Sequence, residues 1–112
     1  MTQKELEKIA LDNTNDIISS LDIKSFSRER LLLLLGKIIH YYSFDFISRD
    51  IELNIPAERL IEFLRLEKTD GMDHGLKFAG SLIDVDNVVE KSCSNYRELI
   101  KDFIQELGIQ PG

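Results

Sequence analysis

The chain has little of several residue types that define common classes of small protein. It has one cysteine, Cys93, so no intramolecular disulfide can form, which favours a reducing compartment. It has no tryptophan, and only two prolines and six glycines among 112 residues. This composition permits long helices and disfavours a turn-rich β-sandwich.

Long apolar segments are missing as well. The longest unbroken apolar run, Leu31 to Leu35, is too short to cross a bilayer. The N-terminal residues lack the apolar core of a signal peptide. We therefore expect a cytoplasmic protein that does not bind membranes.

Charge of one sign is in excess. The chain has 14 basic and 20 acidic residues, a net charge of −6, while 43% of its residues are hydrophobic. The hydrophobic share predicts a globular chain, and the length predicts one domain spanning residues 1–112. Nucleic-acid binding needs clustered lysine and arginine, so we expect no direct nucleic-acid partner. An acidic surface instead attracts basic proteins.

The apolar spacing predicts an all-α fold, a compact bundle of five or six helices. Thr2 and Glu5 form a capping box for the first helix, which we expect to bend or break at residues 13–15. Ser25 or Ser27 caps the second helix, which is apolar around most of its girth and is predicted to lie at the bundle centre.

Further helices are predicted at residues 43–53 and 56–67, with Pro56 in a first turn and Gly71 at a left-handed helix end. Residues 72–92 carry weaker signals, one or two short helices, and are expected to be rich in loops. The last helix is predicted to be capped by Ser94 and to end at Gly108.

Catalytic and metal signatures are weak throughout. The segment 84–90 has several acidic residues, but valines stand where a calcium loop needs a ligand and a glycine. Cys93, His40 and His74 are too few and too scattered to indicate a nucleophilic pair, so a small buried thiol is the expectation. We predict a protein that is not an enzyme and has no catalytic residue, no metal and no cofactor.

The segment 47–64 resembles a helix-turn-helix, with a helix, a short turn carrying Ile55, and a second helix. Residues 45–68 contain four basic and six acidic residues, which suits a phosphate backbone poorly. We interpret the segment as two packed helices and keep a DNA-binding regulator as an alternative.

The charge is uneven along the chain. Residues 67–90 carry a net −4, whereas residues 24–37 carry a net +3. Loops on a rigid scaffold often bind partners, so the candidate partner-binding residues are acidic: Asp70, Asp73, Asp84, Asp86 and Glu90. Tyr41 falls off the apolar stripe of the second helix and is a candidate aromatic anchor, with core packing as its alternative.

Together these features predict a protein-binding module that occludes a basic partner. In size, acidity and helicity the chain resembles bacterial toxin-neutralising immunity proteins, and the resemblance implies a toxin domain such as a nuclease as the partner. No motif carries this resemblance, so it transfers no functional residue. The alternative outside this class is a structural subunit or adaptor of a larger complex.

Overall fold

A computed structural model describes residues 1–21, 23–40 and 42–107. Within these ranges the chain forms α-helices, a short 3-10 helix at Ile23–Ser25 and no strand, which confirms the predicted all-α helix bundle. The helices are α1 (Gln3–Ser19), α2 (Arg28–His40), α3 (Ser43–Asn54), α4 (Ala57–Asp70), α5 (Met72–Gly80) and α6 (Val85–Glu106).

Polar side chains start three of the helices. The Thr2 hydroxyl accepts the Glu5 N–H at 3.2 Å, which is the Thr2 half of the predicted capping box, and the Ser27 hydroxyl accepts the Arg30 N–H at 3.2 Å, as predicted for a Ser27 cap. The Asp84 carboxylate accepts the Asn87 N–H at 3.2 Å and begins α6. Each such bond satisfies a backbone donor that the helix itself leaves unpaired.

The short helices predicted within residues 72–92 are present as α5 and the start of α6, whereas the expectation that the acidic stretch 67–90 is rich in loops is wrong. Gly71, with φ 96°, separates α4 from α5 and allows α4 to continue three residues past its predicted end at residue 67. Gly75 lies inside α5 because α4 passes close to it: a Cβ there would lie 3.2 Å from the Glu67 Cβ. The last helix begins at Val85, not at Ser94, because Asp84 caps it.

Two apolar clusters divide the bundle along its length, which measures 47 Å against 23 and 20 Å across. We call the first cluster the core of the five-helix half; its buried residues are Leu6, Ala10, Ile47, Ile51, Ile55, Phe63, Leu76, Ala79, Val85 and Val89. The second is the core of the three-helix half; its buried residues are Ile17, Leu34, Ile38, Tyr96, Ile100 and Ile104. Among the residues whose burial the structure describes, only α1 and α6 contribute buried side chains to both cores.

Where α1 and α6 pass from one core to the other, their buried side chains are polar. Asn13 donates from Nδ2 to the Ser43 hydroxyl at 3.3 Å and to the Cys93 carbonyl at 3.4 Å, and it accepts at Oδ1 from Arg97 Nε at 2.8 Å. Ser92 donates to Asp50 Oδ2 at 2.6 Å. We call this set the polar layer. Because tertiary bonds satisfy Asn13, α1 continues through residues 13–15 without the break that its sequence allowed.

The second helix is not the central one, which corrects the sequence prediction. Helix α6 contacts α1, α2, α3 and α5, while α2 packs chiefly on α6. Leu34 and Ile38 are buried in that contact, and Leu32 and Leu33 remain 62% and 54% exposed. Apolar residues on most sides of a helix indicate that the helix is buried. The sequence of that helix alone does not show which of its sides other helices cover.

The stretch Arg28–Asn54 has the length and mean hydropathy, 1.3, of a membrane-spanning helix. Length and composition alone do not separate such a span from the core helices of a soluble protein. The stretch comprises α2 and α3, of 13 and 12 residues, with non-helical backbone (ψ 131°) at Tyr42 between them. Each is shorter than the roughly 20 residues that cross a bilayer.

Candidate protein-binding surface

The whole net charge of the chain falls on one half of the bundle. Residues 1–12 and 45–93, which build the five-helix half, include eight basic and fourteen acidic residues, a net −6. Residues 13–44 and 94–112 include six of each, a net charge of zero. In the folded chain, the uneven charge of the sequence therefore gives one acidic half and one neutral half.

Two of the predicted acidic residues hold the fold together. The Asp73 carboxylate accepts the Gln3 backbone N–H at 2.6 Å, which ties the start of α5 to the start of α1. Asp84 caps α6. Both carboxylates lie where a helix N-terminus favours negative charge, so their presence in the sequence has a structural reason independent of any partner.

The remaining acidic candidates are available at the surface. Asp86 and Glu90 are exposed on α6, one turn apart, and border a groove of about 560 Å³ between α1 and α6. Apolar side chains line this α1/α6 groove: Met1, Ile9 and Val89. Asp70 is exposed at the end of α4 and does not border the groove. Tyr41, the predicted aromatic anchor, lies outside the described residues.

Cys93 also lines the α1/α6 groove and is half-buried. Burial raises the pKa of the Cys93 thiol above its ordinary value, and the nearby Arg97 guanidinium offsets this only in part. The thiol is therefore protonated at neutral pH and is a poor nucleophile. His74 is exposed on α5, and the His40 side chain lies outside the described set.

A larger groove, of about 780 Å³, runs along the outer face of α3. Its polar lining includes Glu52 and Glu67, neither of which has a basic partner among the described residues. Burial, and then the neighbouring Glu52 carboxylate, raise the pKa of Glu67. The apolar lining of this α3 groove is Phe44, Phe46, Leu53, Met72 and Leu99.

Sequence reasoning missed the α3 groove. Its signal was present, because Asp45, Ser48, Arg49 and Glu52 repeat at helical spacing on one face of α3. The opposite wall comes from α4, α5 and α6, far away in sequence. The Ser48 hydroxyl oxygen is buried at this face and has no hydrogen-bond partner within the described residues.

The helix-turn-helix segment has a different arrangement from the two packed helices that its sequence predicts. Helix α4 packs chiefly against α5, whereas α3 packs against α6 and α1. The outward side of α4 also exposes Ile61 and Leu64, and its Arg59 pairs with Glu62 at 2.9 Å. Exposed apolar side chains and paired charges suit a protein partner better than a phosphate backbone.

No protein-family model, curated protein or solved structure matches this chain. Across the described ranges, no three histidine, cysteine, aspartate or glutamate side chains converge into a metal-binding group.

Proposed function

We propose that this protein is an acidic protein-binding module that docks a basic partner on its five-helix half. The observation that carries the proposal is the concentration of the entire net charge of −6 on that half. A one-sided field of this kind speeds association with a positively charged protein and orients it.

The α1/α6 groove supplies a chemically suitable contact for a lysine or arginine of the partner. Its floor is apolar, from Met1, Ile9 and Val89, and its border carries the Asp86 and Glu90 carboxylates. The Arg97 guanidinium also lines the groove, and it is bonded to Asn13 and Asp16. Lysine and arginine have long aliphatic stems and charged heads, so the stem packs on the floor while the head pairs with a carboxylate. Asp70 adds to the same negative field from α4.

The biological consequence that we propose is occlusion. A nuclease toxin binds its substrate through basic side chains, and a carboxylate surface that pairs with them blocks nucleic acid from the same site. The chain would then act as an immunity-type inhibitor in the cytoplasm, with no chemistry of its own. The small size and rigid helical surface suit such blocking, since little conformational entropy is lost on binding.

Capture of partners from the source cell, and from the products of neighbouring genes, tests this proposal at two salt concentrations. We expect one basic protein whose purified complex weakens as salt rises, because exposed charge pairs are screened beyond about 10 Å at 0.1 M salt. The complex should also suppress an activity of that partner. An affinity that does not change with salt, or a partner that is not basic, would contradict the proposal.

A second candidate, a subunit or adaptor of a larger complex, is favoured by one observation. Ile61 on α4 is 72% exposed, and Leu64 lies one turn away on the same exposed side. Replacing both by serine should leave the fold intact and abolish a salt-insensitive complex, as apolar contacts predict. The same variant should leave a salt-sensitive complex at the α1/α6 groove unchanged.

A further inference from the structure

Helices α1 and α6 run side by side in the same direction. Near their starts, Ile9 of α1 and Val89 of α6 line the α1/α6 groove together. Further along, the Arg97 guanidinium of α6 donates to Asn13 Oδ1 at 2.8 Å and to Asp16 Oδ2 at 3.1 Å. Residue numbers rise together on the two helices, so the helices are parallel.

A second groove, of about 400 Å³, continues the α1/α6 groove along the three-helix half. Arg97 lines both grooves, so its side chain lies at the boundary between them. The apolar lining of the second groove is Ile17, Leu21, Ile100 and Ile104. We call the two grooves together the α1/α6 seam.

One face of α6 borders the seam over its whole length. Its lining residues follow one another at spacings of three or four residues, which places them on one stripe. They include Asp86, Glu90, Cys93, Arg97, Lys101 and Ile104. This stripe spans eighteen residues, about 27 Å at the rise of an α-helix. A second helix of about five turns has the same length.

The charge of the border changes along the seam. In the α1/α6 groove, the Asp86 and Glu90 carboxylates outnumber the Arg97 guanidinium. The second groove has two acidic and two basic side chains on its border: Asp16, Glu98, Arg97 and Lys101. Arg97 is half-exposed and donates two of its five N–H groups to Asn13 and Asp16, so it can also donate to a bound acceptor.

We propose that the α1/α6 seam binds one amphipathic α-helix of the partner, which spans both grooves. This inference rests on the proposed function, since the acidic end of the seam is the docking site for the partner's basic residues. The bound helix has basic residues over Asp86 and Glu90 and a hydrogen-bond acceptor opposite Arg97. It has an apolar patch over each groove, and the two patches lie about three turns apart, like Val89 and Ile100 on α6. The second groove, with its balanced border, needs no charge from the helix.

Hydrogen bonding favours a helix over an extended segment as the occupant. The walls of the seam are helices, whose backbone groups are paired internally and offer an extended segment no backbone partners. A bound helix pairs its own backbone. A second copy of this chain is disfavoured, because it would bring its own net charge of −6 to the acidic end of the seam.

Two fluorescent peptides of about 20 residues test the proposal without the partner. Each is an alanine-based helix with two lysines at one end, a leucine pair, a central glutamine and a second leucine pair three turns from the first. The two peptides carry this order in opposite chain directions. By fluorescence anisotropy we expect at least one of them to bind with one-to-one stoichiometry. A control peptide of equal composition, with leucine and polar residues alternating as in a strand, should bind on the order of tenfold or more weakly.

Tryptophan substitutions show which part of the seam the peptide occupies. S94W fills the α1/α6 groove and K101W fills the second groove, whereas N95W and D102W place the same side chain at neighbouring exposed positions outside both linings. Each seam variant should weaken binding on the order of tenfold or more, and the two controls far less. K101W also removes a positive charge, which by itself favours a basic peptide, so weaker binding in K101W is steric. Circular dichroism should be unchanged in all four variants.

The variant D86K/E90K separates failure of this proposal from failure of the proposed function. Wild-type affinity in K101W, with weaker binding in D86K/E90K, would overturn the spanning helix and leave the acidic docking site in place. Wild-type affinity in D86K/E90K would contradict the docking site itself. No binding of either ordered peptide, tighter binding of the alternating peptide, or a dimer of the chain that the peptides dissociate would also overturn the proposal.

Discussion

The five-helix half and the three-helix half differ in charge, in packing and in how their ends are closed. The five-helix half carries the net charge of −6 and has an acidic cap at the start of α6 and an acidic contact at the start of α1. The three-helix half is neutral and leaves Leu32 and Leu33 of α2 exposed. The comparison teaches that acidic residues have two uses here, one in closing helices and one in forming a surface field.

The polar layer separates these halves without a break in α1 or α6. Its central residue, Asn13, receives the Arg97 Nε hydrogen bond, and Arg97 also pairs with Asp16 at 3.1 Å. Polar groups that are buried and fully bonded fix the register of helices more strictly than apolar contacts do. The layer thereby sets how the acidic half is held relative to the neutral half.

The largest expected effect is on core packing, and it differs between the halves. Leu6→Ala in the five-helix half removes a fully buried side chain and should lower the free energy of unfolding by about 2–5 kcal/mol. Leu34→Ala removes an equally buried side chain from α2, which packs chiefly on α6, so local detachment limits the loss. Chemical denaturation measures both. Equal losses of free energy of unfolding in the two variants would contradict this expectation, because they would show that α2 is held as firmly as α1.

A smaller effect is expected from opening the polar layer. Asn13→Ala leaves the Ser43 hydroxyl and Arg97 without a partner at Asn13, and should lower the free energy of unfolding by about 1–3 kcal/mol. Asn15→Ala is the matched control, because Asn15 is exposed on the same helix. Thermal unfolding followed by circular dichroism compares the two. If the Asn13 variant were as stable as its control, the layer would have no energetic role.

Tyr96 gives the three-helix half a dependence on alkaline pH. Its hydroxyl donates to the Ile38 carbonyl at 3.1 Å, and burial raises the pKa of Tyr96 to about 12 from an ordinary 10.0. The fold favours the neutral phenol. The contribution of Tyr96 to the free energy of unfolding is therefore fully present below pH 10 and is lost as pH rises from 10 towards 12. Tyr96→Phe should cost about 1 kcal/mol at pH 7 and reduce this slope. An unchanged slope would contradict the assignment.

The smallest expected effect is in the α3 groove. Burial and then the Glu52 carboxylate raise the pKa of Glu67 above its ordinary 4.5, so the charged form is disfavoured in the folded state. Stability should therefore fall as pH rises through that pKa, and Glu67→Gln should stabilise the protein slightly at pH 7. At pH 3, where Glu67 is protonated in both states, the variant should match the wild type. Glu58→Gln, at an exposed site on α4, is the control.

The fold class follows from the sequence because helical periodicity and caps are local. Thr2 and Ser27 act within one turn of themselves, and both predictions are confirmed. The helix signal of residues 72–92 is weak because glycines such as Gly75 lower the local helix propensity, whereas in the fold the missing side chain of Gly75 makes room for α4. That contact joins residues of different helices, and local propensity does not report it.

The candidate surfaces also combine features that the sequence shows locally with features that depend on contacts between distant helices. Charge counting in the sequence located Asp86 and Glu90. The groove beside them contains Met1 and, from α1, Ile9, which only folding brings near. The sequence alone does not distinguish Asp73 from the acidic residues that have no role in the fold, because its hydrogen bond comes from the backbone N–H of Gln3, which is distant in the sequence. The exposure of Leu32 and Leu33 likewise depends on the path of α6 rather than on α2 itself.

The most direct test of the acidic docking surface compares two charge reversals on α6. D86K/E90K and E98K/D102K each reverse two exposed carboxylates four residues apart, and both leave the Asp84 cap intact. With the captured basic partner at low salt, we expect D86K/E90K to slow association on the order of tenfold or more and E98K/D102K to change it far less. Equal association rates for the two variants would contradict the account.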